Sequence, residues 1–197
     1  MAKIKHTKNE LKAQNEALRR FERFLPMLQL KKQQLQAEIQ GIDSTIEETA
    51  AAEKSKRAEL ERWVGLFAEP AELDQILGPA KAKTGEDNIA GVAIPVLESV
   101  HMARADYDLF ETPSWVDDAL NMVQELTELR IAREILEEQR RRIVEELRVT
   151  SQRVNLFEKV KIPECRENIR VIKIFLGDEQ TAAVARGKIA KKRSDSA

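Results

Sequence analysis

The chain has 197 residues, a formal net charge of −1 and a charged fraction of 34%, against about 25% in typical globular proteins. The near-zero net charge excludes an overall attraction to nucleic acid or anionic lipid, and the single cysteine excludes an internal disulfide. Aromatic residues make up only 5% of the chain, which suits long helices with one apolar stripe better than a wide core.

No stretch approaches 18 uncharged apolar residues, and the N-terminal "MAKIKHTKNELKAQ" has no apolar signal-peptide region. We therefore expect a soluble protein that meets a membrane only through its partners, without direct membrane insertion.

The first third of the chain repeats apolar residues at alternating steps of three and four. This spacing is typical of a coiled coil. Thr7 and Glu10 match a capping box at its start, and the pattern predicts a helix from about 8 to 67. The apolar members of this seam are Leu11, Leu18, Phe21, Leu25, Leu28, Leu35, Ile39, Ile42, Ile46, Leu60, Trp63 and Phe67.

The same spacing returns near the C-terminus. Pro113 and the acidic residues after it favour a helix start, and Gly177 is a natural stop. The pattern therefore predicts a second helix ending at about Leu176. The apolar members of this seam are Trp115, Ala119, Met122, Leu126, Leu129, Leu136, Ile143, Leu147, Val154 and Phe157.

Two helices of similar length joined by one connection favour an antiparallel pair in which facing residue numbers sum to about 182. Glu53 then comes within reach of Arg130 or Arg133, as a polar contact that fixes the register. The apolar pairs expected to face each other are Ile46 with Leu136, Ile39 with Ile143, Leu35 with Leu147, and Leu28 with Val154.

Residues 68–113 differ from both arms. "AEPAELDQILGPAKAKTGEDN" suggests a short helical piece with turns, and "IAGVAIPVLESV" suggests a strand or hairpin. The expected fold is mainly α: a long antiparallel two-helix coiled coil with a small α/β head capping one end. The arms occupy 1–67 and 114–176, and a short helix fraying into a basic tail follows at 177–197.

Two prolines fall within the arms. Pro26 and Pro163 each remove one backbone hydrogen bond, which costs about 3 kcal/mol in a helix interior. Past Pro163 the seam changes phase, which predicts a bend or a change of supercoil there. The shifted seam consists of Ile162, Cys165, Ile169, Ile172 and Leu176.

Three stretches are distinctive: "RVNLFEKVKIP", "NIAGVAIP" and "LQLKKQQLQAEI". Together they resemble the D subunit of the V-type (A/V-type) ATP synthases and ATPases. "RVNLFEKVKIP" is similar to the family's C-terminal Arg-Val-Asn, Glu-Lys-Val and Ile-Pro signature. "NIAGVAIP" is similar to its head motif, and "LQLKKQQLQAEI" to its Leu- and Lys-rich first helix. "YDLFETPSWVDDAL", "IRVIKIFLGDEQ" and "ARGKIAKKR" continue the resemblance, which covers almost the whole chain.

The resemblance implies a central-stalk rotor that transmits torque between the membrane ring and the catalytic A and B ring. It implies a non-catalytic component, peripheral on the cytoplasmic side of the membrane, with no cofactor and no metal. The implied partners are the A and B subunits, the F subunit and the funnel-shaped subunit above the membrane ring. The motif residues expected to contact partners are Arg153, Asn155, Lys159, Pro163, Asn88, Gly91 and Pro95.

Other candidate sites have simpler explanations. The "GK" pair at 187–188 lacks the preceding glycine of a phosphate-binding loop. His6 and His101 lack ligand-like neighbours, the many carboxylates belong to solvated helix faces, and Trp63 and Trp115 are expected to anchor the core. We expect no nucleic-acid partner, because the basic tail has no interleaved aromatics. We also expect a charged exterior that is poor in apolar patches.

Two alternatives stay open. A prefoldin-like chaperone or tethering protein also combines two helical arms with a small β head, and the apolar "RVIKIFL" would suit its tip. A coiled coil that binds nucleic acid through the basic tail is the other. Neighbouring genes for A and B subunits would distinguish the rotor from both.

Overall fold

The computed structural model describes residues 4–62, 65, 76–108 and 112–195. The predicted core positions Trp63 and Phe67 and most of the predicted short helical piece lie outside these residues. The chain divides into two units, one formed by Gln33–Arg148 and the other by Met1–Lys32 together with Val149–Ala197.

The described chain is mainly helical with one antiparallel hairpin, which confirms the predicted fold class. Its elements are α1 (Lys8–Glu61), β1 (Leu77–Ile89), β2 (Val92–Arg104), α2 (Val116–Leu156), a π-helical segment (Phe157–Lys161) and α3 (Ile162–Ser194). The N–H of Glu10 donates to Oγ1 of Thr7 at 3.2 Å, so half of the predicted capping box forms. α1 continues without interruption through Pro26.

The core of the Gln33–Arg148 unit joins both helices to the hairpin. Leu35, Ile42, Ile94 and Ile143 are buried together, and Leu35 and Ile143 are fully inaccessible to solvent. All the residues of the predicted facing pairs in this unit belong to the cluster, which supports the antiparallel register. The residues packed around it are Ile39, Ile46, Ile89, Ala90, Val92, Val96, Leu136 and Leu147.

A polar contact between the helices accompanies this core. Nε of Arg133 donates to Glu53 at 2.8 Å, with both side chains less than one-third exposed. Arg130, the other predicted partner, instead donates to Glu134 on its own helix at 3.2 Å. The register contact predicted for Glu53 is therefore made by Arg133.

A second apolar cluster lies at the open end of the hairpin. Ile76, Val116 and Leu120 are buried there, and Trp115 and Tyr107 pack against them. Trp115 is therefore a core anchor, as predicted.

The hairpin is longer than the sequence suggested. β1 begins at Leu77, within text interpreted as helix and turns, and pairs with β2 along its length. The sequence did not predict β1, because this strand has few apolar residues in alternation. The strand is instead held in place by its hydrogen-bonded ladder to β2. The hairpin also packs its turn end against Leu35, Ile42 and Ile143, so within this unit the turn end lies against the flank of the helices.

The Met1–Lys32 and Val149–Ala197 unit pairs the start of α1 with the C-terminal helices. Phe21 lies against Phe157, with ring centroids 4.9 Å apart, and Arg166 donates to Glu22 at 2.9 Å. The phase-shifted seam is confirmed, because four of its five members are buried: Ile162, Cys165, Ile169 and Ile172.

The predicted helix stop at Gly177 is wrong, since α3 continues to Ser194. One glycine costs a helix only about 1 kcal/mol, and the Glu, Gln, Ala, Lys and Arg residues that follow favour helix. Oγ1 of Thr181 also donates to the Gly177 carbonyl at 3.0 Å, so the threonine hydroxyl finds its partner within the helix.

The core of the Gln33–Arg148 unit predicts a large difference between two leucines of α1. Leu35→Ala should lower the free energy of unfolding by about 2–5 kcal/mol, because it opens a cavity in a closed cluster. Leu30→Ala, at a side chain 56% exposed, should change it by less than about 0.5 kcal/mol. Urea unfolding followed by circular dichroism measures both, and equal losses would contradict the described core.

Candidate functional site

The hairpin turn is shaped by two of the predicted contact residues. Ile89 pairs with Val92, and the residues between them, Ala90 and Gly91, have φ values of 51° and 82°. Positive φ at both central positions matches the type I′ turn that suits the twist of a hairpin. Oδ1 of Asn88 accepts the Gly91 N–H at 2.8 Å and closes the turn.

Two side chains of α2 hold β2 in place, and we call Gln139 and Arg142 the hairpin clamp. Nε2 of Gln139 donates to the Pro95 carbonyl at 2.6 Å, and Nη1 of Arg142 donates to the Ala93 carbonyl at 3.2 Å. Residues 93 and 95 are two apart in the strand, so their carbonyls point to the same edge. The clamp therefore satisfies acceptors on the edge of β2 that β1 leaves unpaired.

Pro95 fits this position for a backbone reason. A proline has no N–H to donate to a strand ladder, so strands tolerate it where the N–H side faces away from the neighbouring strand. The neighbouring Ile94 is only 2% exposed and points into the core. The predicted contact residue Pro95 is thus a docking point of the hairpin on α2.

A carboxylate orients the arginine of the clamp. Oε1 of Glu138 accepts from Nε of Arg142 at 2.8 Å and from Nη2 of Arg141 at 2.7 Å. Hydrogen bonds from Arg141 and then Arg142 lower the pKa of Glu138 to about 2. Glu138 is therefore ionised over the whole neutral range and holds the Arg142 guanidinium beside the strand.

The other set of predicted contact residues lies in and beside the π-helical segment: Arg153 and Asn155 precede it, Lys159 lies within it and Pro163 follows it. The Ile162 N–H bonds to the Phe157 carbonyl, five residues back, and Pro163 follows at once in the first turn of α3. A proline lacks the N–H that would continue the α ladder, and a wider turn before it relieves the clash of its ring. The segment spans the five-residue step from Phe157 to Ile162, so it inserts the residue that shifts the seam.

The helical stretch around this segment presents the motif residues to solvent. Asn155, Lys159 and Pro163 follow at four-residue spacing along one face, and Arg153 is also exposed. Lys159 and Pro163 line a groove of about 460 Å³. The structure thus brings these two together, whereas Asn88, Gly91 and Pro95 belong to the hairpin of the other unit.

The clamp was missed by sequence reasoning. Arg142 belongs to the "QRRRI" run, which has the composition of a solvated face, and Gln139 lies beside the apolar seam. Their partners are backbone carbonyls of a distant strand, which no side-chain spacing reveals. Only the Pro in "GVAIPV", as an edge-strand signal, pointed toward that neighbourhood.

The histidines have local roles. The His6 ring lies against Phe175, with centroids 4.8 Å apart, and Nε2 of His101 is 3.1 Å from Oγ of Ser99. Among the described residues, no three His, Cys, Asp or Glu side chains gather in a way that could hold a metal ion. Within the same residues, no helix is both long and apolar enough to cross a membrane.

Comparison with known proteins relates this chain to a described family. Residues 10–192 match the family described as the D subunit of ATP synthase. The chain belongs to this family. It is 43% identical to the V-type ATP synthase D subunit of Borreliella burgdorferi over 191 residues, 97% of this chain and 95% of the relative. It is 36% identical to that of Chlamydia muridarum over 195 residues, 98% and 96% of the two chains, and 34% identical to that of Chlamydia caviae over 195 residues, 98% and 94%.

The stretch that matches the D subunit family, residues 10–192, covers most of the features described above. It includes the hairpin, its clamp on α2, the π-helical segment and all but the last residues of α3. The hairpin and the π-helical segment therefore both lie within the stretch that matches the family.

The clamp predicts that Gln139→Met loosens the hairpin. Methionine fills a similar volume but donates no hydrogen bond, so the Pro95 carbonyl is left unpaired at a cost of about 1–3 kcal/mol. Hydrogen exchange should speed up in β1 and β2, and Gln33→Met, at an exposed glutamine of α1, should leave it unchanged. Unaltered exchange in Gln139→Met would show that the core alone docks the hairpin.

The lowered pKa of Glu138 predicts a pH-dependent contribution to stability. A carboxyl whose pKa falls from its ordinary 4.5 to about 2 in the folded state stabilises the fold above pH 4.5. This contribution is lost as the pH falls toward 2. The melting temperature of Glu138→Gln should thus lie below that of the unchanged chain at pH 7, with the gap narrowing at pH 3. Glu47→Gln, at an exposed position of α1, serves as the control.

Proposed function

We propose that the chain is the central-stalk rotor component of a V-type ATP synthase or ATPase, a non-catalytic part that transmits torque. Membership of the D subunit family and the names of its relatives support its place in such a complex. The observation that carries the proposal is the three-way core of Leu35, Ile94 and Ile143, which fixes a hairpin to one flank of two paired helices.

This core gives the Gln33–Arg148 unit the asymmetry that a rotor needs. Two paired helices alone present similar faces all round, whereas a hairpin docked on one flank makes one direction different from the others. A body that turns inside a ring of three catalytic sites must offer each site a different surface at any moment. The docked hairpin provides this difference, and the clamp keeps it fixed while the body turns.

Torque also requires that the paired helices resist twisting against each other. The buried seams in each unit supply most of this resistance, because sliding one helix would expose apolar surface. Contacts between the helices add register: Arg133 with Glu53, Lys56 with Glu125 at 2.9 Å, and Arg140 with Asp43. Exposed ion pairs of this kind are each worth only about 0–1 kcal/mol, so they fix register more than they stabilise.

The proposed partners follow from this role. The A and B subunits surround the paired helices, the F subunit binds the rotor, and the funnel-shaped subunit joins it to the membrane ring. The complex places the chain at the cytoplasmic side of the membrane, as a peripheral component without a nucleotide site of its own. The surfaces proposed for these contacts are the hairpin with Asn88, Gly91 and Pro95, and the helical face with Arg153, Asn155, Lys159 and Pro163.

The test is reconstitution of the complex with and without this chain. ATP hydrolysis should drive rotation of a bead attached to an exposed hairpin residue such as Lys81, and ion transport should stop when the chain is omitted. A complex that assembles and transports ions without the chain would refute the rotor. Prevention of client aggregation by the isolated chain, without binding to the A and B subunits, would support the prefoldin-like alternative.

Pro163 is the position where the rotor proposal predicts uncoupling. Pro163→Ala restores a backbone N–H and should let the wider turn straighten, so ATP hydrolysis should continue while fewer ions are transported for each ATP. Glu179→Ala, at an exposed position further along α3, should retain normal coupling. An unchanged ratio of ion transport to ATP hydrolysis, with an unchanged structure, would refute a role of Pro163 in shaping the shaft.

A further inference from the structure

The outward side of α1 departs from the charged, patch-poor exterior expected from the sequence. Phe24, Met27 and Leu30 are 48%, 60% and 56% exposed. Phe21 and Leu25 of the seam, by contrast, are half-buried. Large apolar side chains grouped on a protein surface and rimmed by polar residues mark interaction sites.

These three side chains form one face together with two arginines. Arg20, Phe24 and Met27 follow at steps of four and three, and Arg23, Met27 and Leu30 do the same in the adjacent row. The seam residues occupy a different side of the helix. We call Arg20, Arg23, Phe24, Met27 and Leu30 the α1 outer face.

The surroundings of this face are positive. Residues 19–32 contain five basic side chains and one acidic one, Glu22. Glu22 is engaged by Arg166 at 2.9 Å. Arg20 and Arg23 are exposed and make no ion pair within the part of the chain that the structure describes. The face therefore combines an apolar stripe with two cations that no carboxylate of the described residues neutralises.

We propose that the α1 outer face binds a segment of a neighbouring protein in the complex that presents apolar side chains flanked by carboxylates, in the form of an acidic amphipathic helix. This deepens the proposed function, on which it rests, by giving the chemistry of one partner surface. The apolar spacing suits a helix laid along α1, since anchors three and four residues apart meet a partner helix on one side. The arginines pair with carboxylates in two-point hydrogen bonds, which sets the orientation of the partner.

The charges favour a different chain over a second copy of this one. A symmetric pairing of two α1 outer faces would bring Arg20 and Arg23 toward the same arginines of the copy, and like charges in contact are unfavourable. Nucleic acid is also disfavoured, because the apolar half of the face would stay uncovered on a phosphate backbone. An acidic apolar segment covers both halves at once.

The experiment titrates the full chain with two synthetic 18-residue helical peptides. Both carry leucine at spacings of three and four on one face, and one has glutamate on the flanks of that face where the other has lysine. Fluorescence anisotropy at low and high salt gives the affinities. The glutamate peptide should bind at least about tenfold more tightly than the lysine peptide, and salt should weaken it.

Variants locate the binding site. Arg20→Glu with Arg23→Glu should remove the preference for the glutamate peptide, and Phe24→Ser, Met27→Ser and Leu30→Ser together should weaken both peptides about tenfold or more. The matched control is Val184→Ser, Ile189→Ser and Arg186→Glu, which alters equally exposed apolar and basic residues on α3 and should leave binding unchanged. Circular dichroism confirms that each variant keeps its helices.

Every other outcome overturns the proposal. Equal binding of both peptides, equal losses in the α3 control, or no binding at all would each remove the assigned chemistry. A wild-type chain that dimerises, and a Phe24, Met27 and Leu30 variant that does not, would assign the face to a second copy. Because these measurements use the isolated chain, their failure leaves the rotor proposal to its own test in the reconstituted complex.

Discussion

Both units depend on one constraint: the apolar residues of each helix must keep returning to the same side. With few aromatics in the chain, a narrow seam of aliphatic residues supplies most of the buried area. A straight α-helix cannot absorb the five-residue step between Phe157 and Ile162 without turning its next apolar residues outward. The π-helical segment at that step is how the chain keeps Cys165, Ile169 and Ile172 buried.

The position of Pro163 fits this explanation. A proline in the middle of a helix is usually a defect, but directly after a wider turn its missing N–H removes a bond that the turn has already rearranged. Pro163 then keeps the backbone in the wider turn, because an uninterrupted ladder of α-helical hydrogen bonds cannot form across a proline. Sequence and structure agree here at two levels, the phase of the seam and the chemistry of the backbone.

Much of the fold could be predicted because it repeats. The helical arms, their antiparallel pairing and a contact of Glu53 with Arg130 or Arg133 follow from a regular spacing that every turn reinforces, and the structure selects Arg133. β1 could not be predicted in the same way, since "AKAKTGEDN" is stabilised by pairing with a distant strand and not by its own composition. The end of α3 was misplaced because one glycine was given more weight than the helix-forming residues around it.

The candidate site also contains residues that the sequence could predict and residues that it could not. The motif residues Asn88, Gly91 and Pro95 could be picked out, and the structure gives the first two a role in the turn and the third a role in docking. The hairpin clamp could not, because Gln139 and Arg142 act on carbonyl groups, and a carbonyl has the same chemistry in every residue. Contacts to the backbone are specified by the fold and become visible only when the fold is known.

The two edges of the hairpin differ in how readily they could pair with a strand of another chain. The β2 edge has the clamp on it, but in the described sheet no strand covers the outer edge of β1. That edge carries exposed Lys81, Lys83, Glu86 and Asp87, and the strand pairing is irregular between Lys83 and Thr84. Charged side chains and a break in regularity hinder the addition of a further strand. The outer edge of β1 is therefore poorly suited to pairing with a strand from another copy.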